Sequence, residues 1–340
     1  MKKFAILLLA SLAACGDRTD AEFQADVVAA MHDSIGTDLA DLVKAAQDLQ
    51  AAAPTHAWSA TGDAAAITAM REAWKRTRIA YEHVEGATAP IFGDLDGTMD
   101  ARYDDYLADL GTAGDPDPFD ATGVTGMHGI ERILYAPMIR PEVVAFERAL
   151  PGYKAAAYPA TEGQAMAFKT VLCQKLIDDA TSLHDQWQPA AIDIGAAYQG
   201  LVGLMNEQKE KVNLAATGEE ESRYANLTLF DLRNNLAGTS KVYELFRDWI
   251  HSKQGGSDSD AKIVAKLGAL STLYGATPDA LPAVPDDWSS DQPTPANLAT
   301  PFGTLWKSVH ESSDPNQDGS VVFEMNKVAK LLGFPQFVEE

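Results

Sequence analysis

Three short stretches carry residue types and spacings that could do chemistry. The first is Tyr81-Glu82-His83-Val84-Glu85, where Glu82 and Glu85 stand three apart and project from one face of a helix. Arg78, four residues before Glu82, offers an ordinary ion pair as the alternative reading. The second is Phe92-Gly93-Asp94-Leu95-Asp96-Gly97, an Asp-x-Asp in a glycine-flanked segment. It reads as a loop that presents Asp94 and Asp96 to one cation, or as turn and cap residues. The third is Gly126-Met127-His128-Gly129-Ile130-Glu131, which puts an imidazole and a carboxylate one helical turn apart. That i, i+3 spacing binds metal inside carboxylate-rich helical bundles. A histidine beside an apolar face is more often a satisfied core residue.

Together these stretches offer Glu82, Glu85, Asp94, Asp96, Glu131 and the single imidazole of His128. An oxygen-rich site with one nitrogen suits iron, manganese, zinc or copper(II) rather than a thiolate-preferring ion. Several carboxylates gathered without a cation would raise one another's pKa values. Later in the chain, Asp231, Asn234 and Asn235 sit on a largely apolar helical stretch, as site lining or as bonded structural polars.

The elements that must position these groups are helices. Phe23, Val27, Met31, Ile35, Leu39, Leu42, Ala46 and Leu49 recur at three- and four-residue steps, as do Ile67, Met70, Trp74, Thr77, Tyr81 and Val84. Thr122 or Thr125 starts a further helix that Pro137 closes. Later helices are expected over 141–149, 162–187, 189–215, 219–252, 258–274, 298–311 and 320–332. The proline-rich run 276–301 reads as an extended loop, and no stretch alternates as a half-buried strand does. The fold class is therefore all-α. Two packed four-helix-bundle-like domains, 22–155 and 156–340, fit the length, with the boundary at Pro151-Gly152 and Pro159.

The first fifteen residues, MKKFAILLLASLAAC, have the form of a secretory signal: two lysines, a short apolar run, then small residues. Leu12-Ala13-Ala14-Cys15 resembles a bacterial lipobox. Residues 1–15 are thus read as a lipoprotein signal peptide with Cys15 as the lipidated residue, and 16–21 as a polar tether. Gly16, where an Asp would favour retention in the inner membrane, points to the outer membrane, facing the periplasm or the cell surface. Cys173, the only other cysteine, falls among helix-spaced apolar residues and reads as a buried thiol. The chain has 27 Lys and Arg against 49 Asp and Glu, a formal charge of −22. Such a surface disfavours nucleic acid and attracts cations. Contact with a membrane must then come through the lipid.

The run TRIAYEHVEGATAPIFGDLDGTMDARYDDY, followed by TGMHGIERILY, resembles the imelysin-like family, peptidase family M75, whose hallmark is GxHxxE. Here that is Gly126-x-His128-x-x-Glu131. The YExxE and FGDLD segments are particularly similar to periplasmic components of bacterial iron-uptake systems in that family. The segment Asp231-Leu232-Arg233-Asn234-Asn235-Leu236-Ala237-Gly238 resembles its long C-terminal helix. The resemblance implies a pair of four-helix bundles with a site near their junction. It implies metal binding by Glu82, Glu85, Asp94, Asp96, His128 and Glu131, with iron the expected ion. The implied partner is an iron permease or another uptake component. Some iron-uptake relatives carry a cupredoxin-like domain, for which this chain has no strand-rich region.

Two other readings stay open at this level: a metallopeptidase using the same HxxE site, and a non-catalytic surface interaction protein. The zincin signature HExxH and the GxSxG elbow are both absent. Asp314-Pro315-Asn316-Gln317-Asp318-Gly319 matches the first half of an EF-hand loop, but the twelfth position is Met325 and Glu324 is one early.

Overall fold

The computed structural model describes residues 18–339. The expected signal segment, with Cys15, lies outside the described residues. Within them the secondary structure is helical throughout, with no strand. The chain runs through α1 (Asp20–Ala52), α2 (Ala64–Glu82), the short α3 (Glu85–Thr88), α4 (Gly93–Asp100), α5 (Tyr103–Leu110), α6 (Gly126–Leu134) and α7 (Pro141–Arg148). It continues with α8 (Glu162–Ala167), a π-type turn, α9 (Cys173–Trp187), α10 (Ile194–Asn213), α11 (Thr228–Glu244), α12 (Arg247–His251) and α13 (Gly256–Gly275). Three helices close it: α14 (Pro295–Leu298), α15 (Pro301–Ser313) and α16 (Val321–Leu332).

Two of the long helices start where side chains satisfy their free amides. Thr19 and Glu22 form a reciprocal capping box on α1, and the Asp193 carboxylate caps α10. The apolar stripe read from α1 is buried as spaced: Met31, Ile35, Leu39, Leu42, Ala46 and Leu49 are all fully covered. Cys173 is a buried free thiol. Burial raises its pKa and so keeps it protonated.

Two packing groups emerge. Helix α1 lies along α2 and α9, and α6 fits against α2, α4 and α9. Helix α10 contacts α11, α15 and α16, while α13 packs on α11 and α16. Helix α9 thus joins the first group although it lies beyond residue 156, so the change of neighbours falls between Trp187 and Ile194. The two groups meet where α2 touches α11 and α3 touches α10 and α11.

Two local expectations change. The segment 219–227 is not helical: it crosses the molecule as a series of turns, and α11 begins only at Thr228. The Gly93–Gly97 segment is not a loop but the first turns of α4. Both changes bear directly on the site.

Candidate metal centre

His128 is buried near the start of α6. Thr125 precedes that helix in extended backbone, and Gly126 has φ +70°. A Cβ on Gly126 would stand 2.5 Å from the Met99 carbonyl oxygen. Only glycine fits that approach, which seats the start of α6 against the end of α4. Trp74 of α2 donates its indole N–H to the Met127 carbonyl at 3.0 Å and fixes α6 from the other side.

The imidazole has two different sides. Its Nδ1 donates to Oε2 of Glu131 at 2.8 Å. The other oxygen of Glu131 accepts the backbone N–H groups of Tyr224 (3.0 Å) and Ala225 (2.8 Å). Glu131 is therefore spent on orienting His128 and holding the 219–227 segment. Nε2 of His128 is buried and lacks a hydrogen-bond partner. It faces Oδ1 of Asp100 and Oε1 of Glu221, each 3.4 Å away. One ligand atom from each of Asp100, His128 and Glu221 lies within 4.8 Å of the others. A nitrogen and two carboxylates around one point form a donor set suited to a first-row transition metal, and an Nε2 that makes no hydrogen bond is where such an ion fits.

The remaining expected residues separate by position. Because Gly93–Asp100 is helical, Asp94 and Asp96 project about 200° apart instead of side by side. Asp94 is exposed and away from the centre. Asp96 accepts a bond from the Tyr81 hydroxyl, and burial pushes its pKa up to about 7. Glu82 is buried between Arg78 and Asn235. Glu85 takes Asn235 Nδ2 at 2.7 Å and faces Lys211 Nζ at 3.6 Å. Asp231 and Asn235, one turn apart on α11, both reach this cluster, while Asn234 turns back to the Phe230 carbonyl at 2.8 Å.

Asp100 and Glu221 were not among the residues picked out by spacing. Asp100 had a usable signal, lying four residues after Asp96 on the same face of α4. Glu221 had none, because a Glu-Glu-Glu run reads as a solvated face. In the fold, Glu220-Glu221-Ser222-Arg223-Tyr224 is buried from end to end. Each side chain is anchored: Glu220 to Arg140, Ser222 to Asp231, Arg223 to Asp104 and Tyr224 to Glu147.

Charge sets the protonation states. Burial and Arg78 oppose a charged His128, but the carboxylates of Asp100, Glu131 and Glu221 outweigh them and raise its pKa well above the ordinary imidazole range. Burial alone would raise the Glu221 carboxyl, yet Lys211, His128 and Arg78 hold it well below its usual range. The Asp100 carboxyl is likewise lowered, mainly by Arg78 against burial. Burial pushes Asp231 up to about 6. A cleft of about 390 Å³ opens beside the cluster, lined by Glu85, Asp96, Asp100, Glu207, Lys211 and Glu221 among others. Solvent thus reaches Asp100 and Glu221 directly, with His128 behind them.

The half EF-hand supplies no acid at its far end. Glu324 is buried against Lys262 (2.8 Å), Lys327 (2.9 Å) and Ser259 (3.0 Å). Asp314 instead caps its own turn, accepting the Asn316 N–H at 2.8 Å.

The family model for imelysin, peptidase M75, matches residues 35–294. The chain belongs to the imelysin family. An Efem/EfeO family lipoprotein of Staphylococcus haemolyticus is 28% identical over 272 residues, covering 76% of this chain and 81% of that protein. The iron uptake system component EfeO of Escherichia coli K12 is 25% identical over 228 residues, or 67% of this chain. This chain spans 50% of the E. coli protein's length. An imelysin-like protein of Psychrobacter arcticum has the same fold, with a TM-score of 0.58 at 14% identity over 95% of this chain and 99% of that one. A structure from Parabacteroides distasonis gives 0.61 at 14% identity, over 94% and 97% of the two chains. The all-α reading and the imelysin resemblance are both borne out.

Proposed function

We propose that this imelysin-family chain captures a transition-metal ion at the cell envelope and hands it on for uptake, with iron as the cargo. The observation that carries this reading is the buried Nε2 of His128, which makes no hydrogen bond and stands 3.4 Å from both Asp100 and Glu221 at the wall of an acidic cleft. Asp100, His128 and Glu221 are the proposed ligands. Glu131 orients the imidazole, and Glu82, Glu85 and Asp96 shape the field around the ion and its approach. The imidazole must shed a proton to bind metal, so uptake of the ion releases a proton and weakens as pH falls.

The relatives support the cargo and the setting: one is named an iron uptake system component and another a lipoprotein. In this proposal Cys15 carries the lipid and the mature chain sits at the outer membrane. A permease or another uptake component receives the ion. No helix among the described residues is long and apolar enough to cross a membrane.

The test is the metal content of the purified mature protein, followed by titration with Fe²⁺ under anaerobic conditions and with Mn²⁺ and Zn²⁺. The wild type should bind one ion per chain, while His128→Ala and Glu221→Gln lose at least tenfold in affinity. Equal binding by all three proteins would overturn the assignment.

A further inference from the structure

The guanidinium of Arg78 is wholly buried and bonded to four carboxylates: Glu82, Asp100, Glu221 (3.1 Å) and Asp231 (3.4 Å). Two of these, Asp100 and Glu221, are the proposed metal ligands. Lys211, also buried, faces Glu221 at 3.4 Å and Glu85 at 3.6 Å from the opposite side. Arg78 thus sits against Asp100 Oδ1 and Glu221 Oε1, the oxygens that face His128 Nε2, and Lys211 holds the other oxygen of Glu221. A site built only for tight retention gains nothing from this, because each fixed positive charge repels the metal and competes for its ligands. Without metal or a fixed positive charge, however, Asp100 and Glu221 could not remain ionised together in a buried cluster.

We infer that Arg78 and Lys211 are built-in counter-cations that take the place of the cargo: they hold the ligand carboxylates in register in the empty protein and lower metal affinity enough for release. This rests on the metal-capture reading above and names how that site is tuned. The ligand is a bare or hydrated first-row divalent cation. At the cleft wall acidic side chains outnumber the two cations, Arg102 and Lys211, so an anionic chelate is disfavoured. The arrangement trades affinity for reversibility, as a carrier requires and a resident cofactor site does not.

Both charges can be removed with the apolar stem kept, as Arg78→Met and Lys211→Met, with Lys211→Arg as the control that retains charge. The probe is Mn²⁺, followed by its electron paramagnetic resonance signal for affinity, by chelator challenge for release rate, and by melting with and without metal. Lys211→Met should bind roughly tenfold tighter and release correspondingly more slowly, with Lys211→Arg within about threefold of wild type. Arg78→Met should melt lower than wild type without metal and recover more on adding Mn²⁺. Should Arg78→Met fail to fold, Lys211→Met still decides. Unchanged or weaker binding by Lys211→Met, alongside a wild type that binds, overturns the inference. A wild type that does not bind Mn²⁺, Fe²⁺ or Zn²⁺ overturns the metal-capture reading itself.

Discussion

Glu131 grips His128 through Nδ1 at 2.8 Å with one oxygen, and with the other it takes two backbone amides of the segment that delivers Glu221. One carboxylate therefore aims the imidazole and fixes the position of the loop opposite. In the proposed centre the HxxE spacing supplies a ligand and its support, rather than two ligands side by side.

That division of labour is testable. Glu131→Gln keeps the shape but weakens the bond to Nδ1 and the grip on the loop amides. Metal affinity should fall about 10–100-fold, the usual penalty for losing a residue that orients a ligand. Isothermal titration with Mn²⁺ measures it, and an affinity within twofold of wild type would show that Glu131 is dispensable.

The two aspartates of the FGDLD segment should behave differently from Asp100. Asp94 is exposed on α4, so Asp94→Asn should leave metal binding within twofold of wild type. Asp100→Asn removes a proposed ligand and should cost at least tenfold. A larger loss for Asp94→Asn than for Asp100→Asn would contradict the proposed centre.

Gly238 of α11 lies directly on the backbone of His83, and a Cβ there would stand 2.5 Å from the His83 Cα and carbonyl oxygen. This contact brings Asn235, one turn earlier, within reach of Glu82 and Glu85. Neither backbone can yield cheaply, so Gly238→Ala should destabilise by about 1–3 kcal/mol. Urea unfolding gives the number, and a change below 1 kcal/mol would mean that the helices separate without strain.

His310 provides a pH signature remote from the centre. It stacks on Trp306 with ring centroids 3.9 Å apart, and its Nε2 donates to Asn213 Oδ1 at 3.1 Å. Burial, with a smaller contribution from Lys209, lowers its pKa to about 4. The unfolded chain then takes up a proton near pH 6.5 that the folded chain refuses. Stability from this group is complete above pH 6.5, drains away as pH falls toward 4, and is level below that. Allowing for its partial exposure, the loss between pH 7 and pH 4 should be about 1–2 kcal/mol. Unfolding curves for wild type and His310→Gln at several pH values isolate it, since the variant should lack this part of the slope. Parallel curves for the two proteins would show that His310 does not titrate on unfolding.

The sequence by itself determined most of the long helices, because apolar spacing near 3.6 is a local property of the chain. It also determined the family and the placing of an imidazole and a carboxylate one turn apart on α6, since i, i+3 spacing on a helix leaves no freedom. Glu82 and Glu85 were equally legible as a pair on one face. Tertiary structure alone decided what those groups meet. It carried Glu221, hidden in a charge run, into a buried turn opposite His128, and it set Arg78 among four carboxylates drawn from different elements. It also turned Asp94 out to solvent by making a glycine-flanked segment helical. Such pairings join residues up to 153 positions apart. The free energy of gathering these charges depends on which helices close together, and no short-range pattern records that.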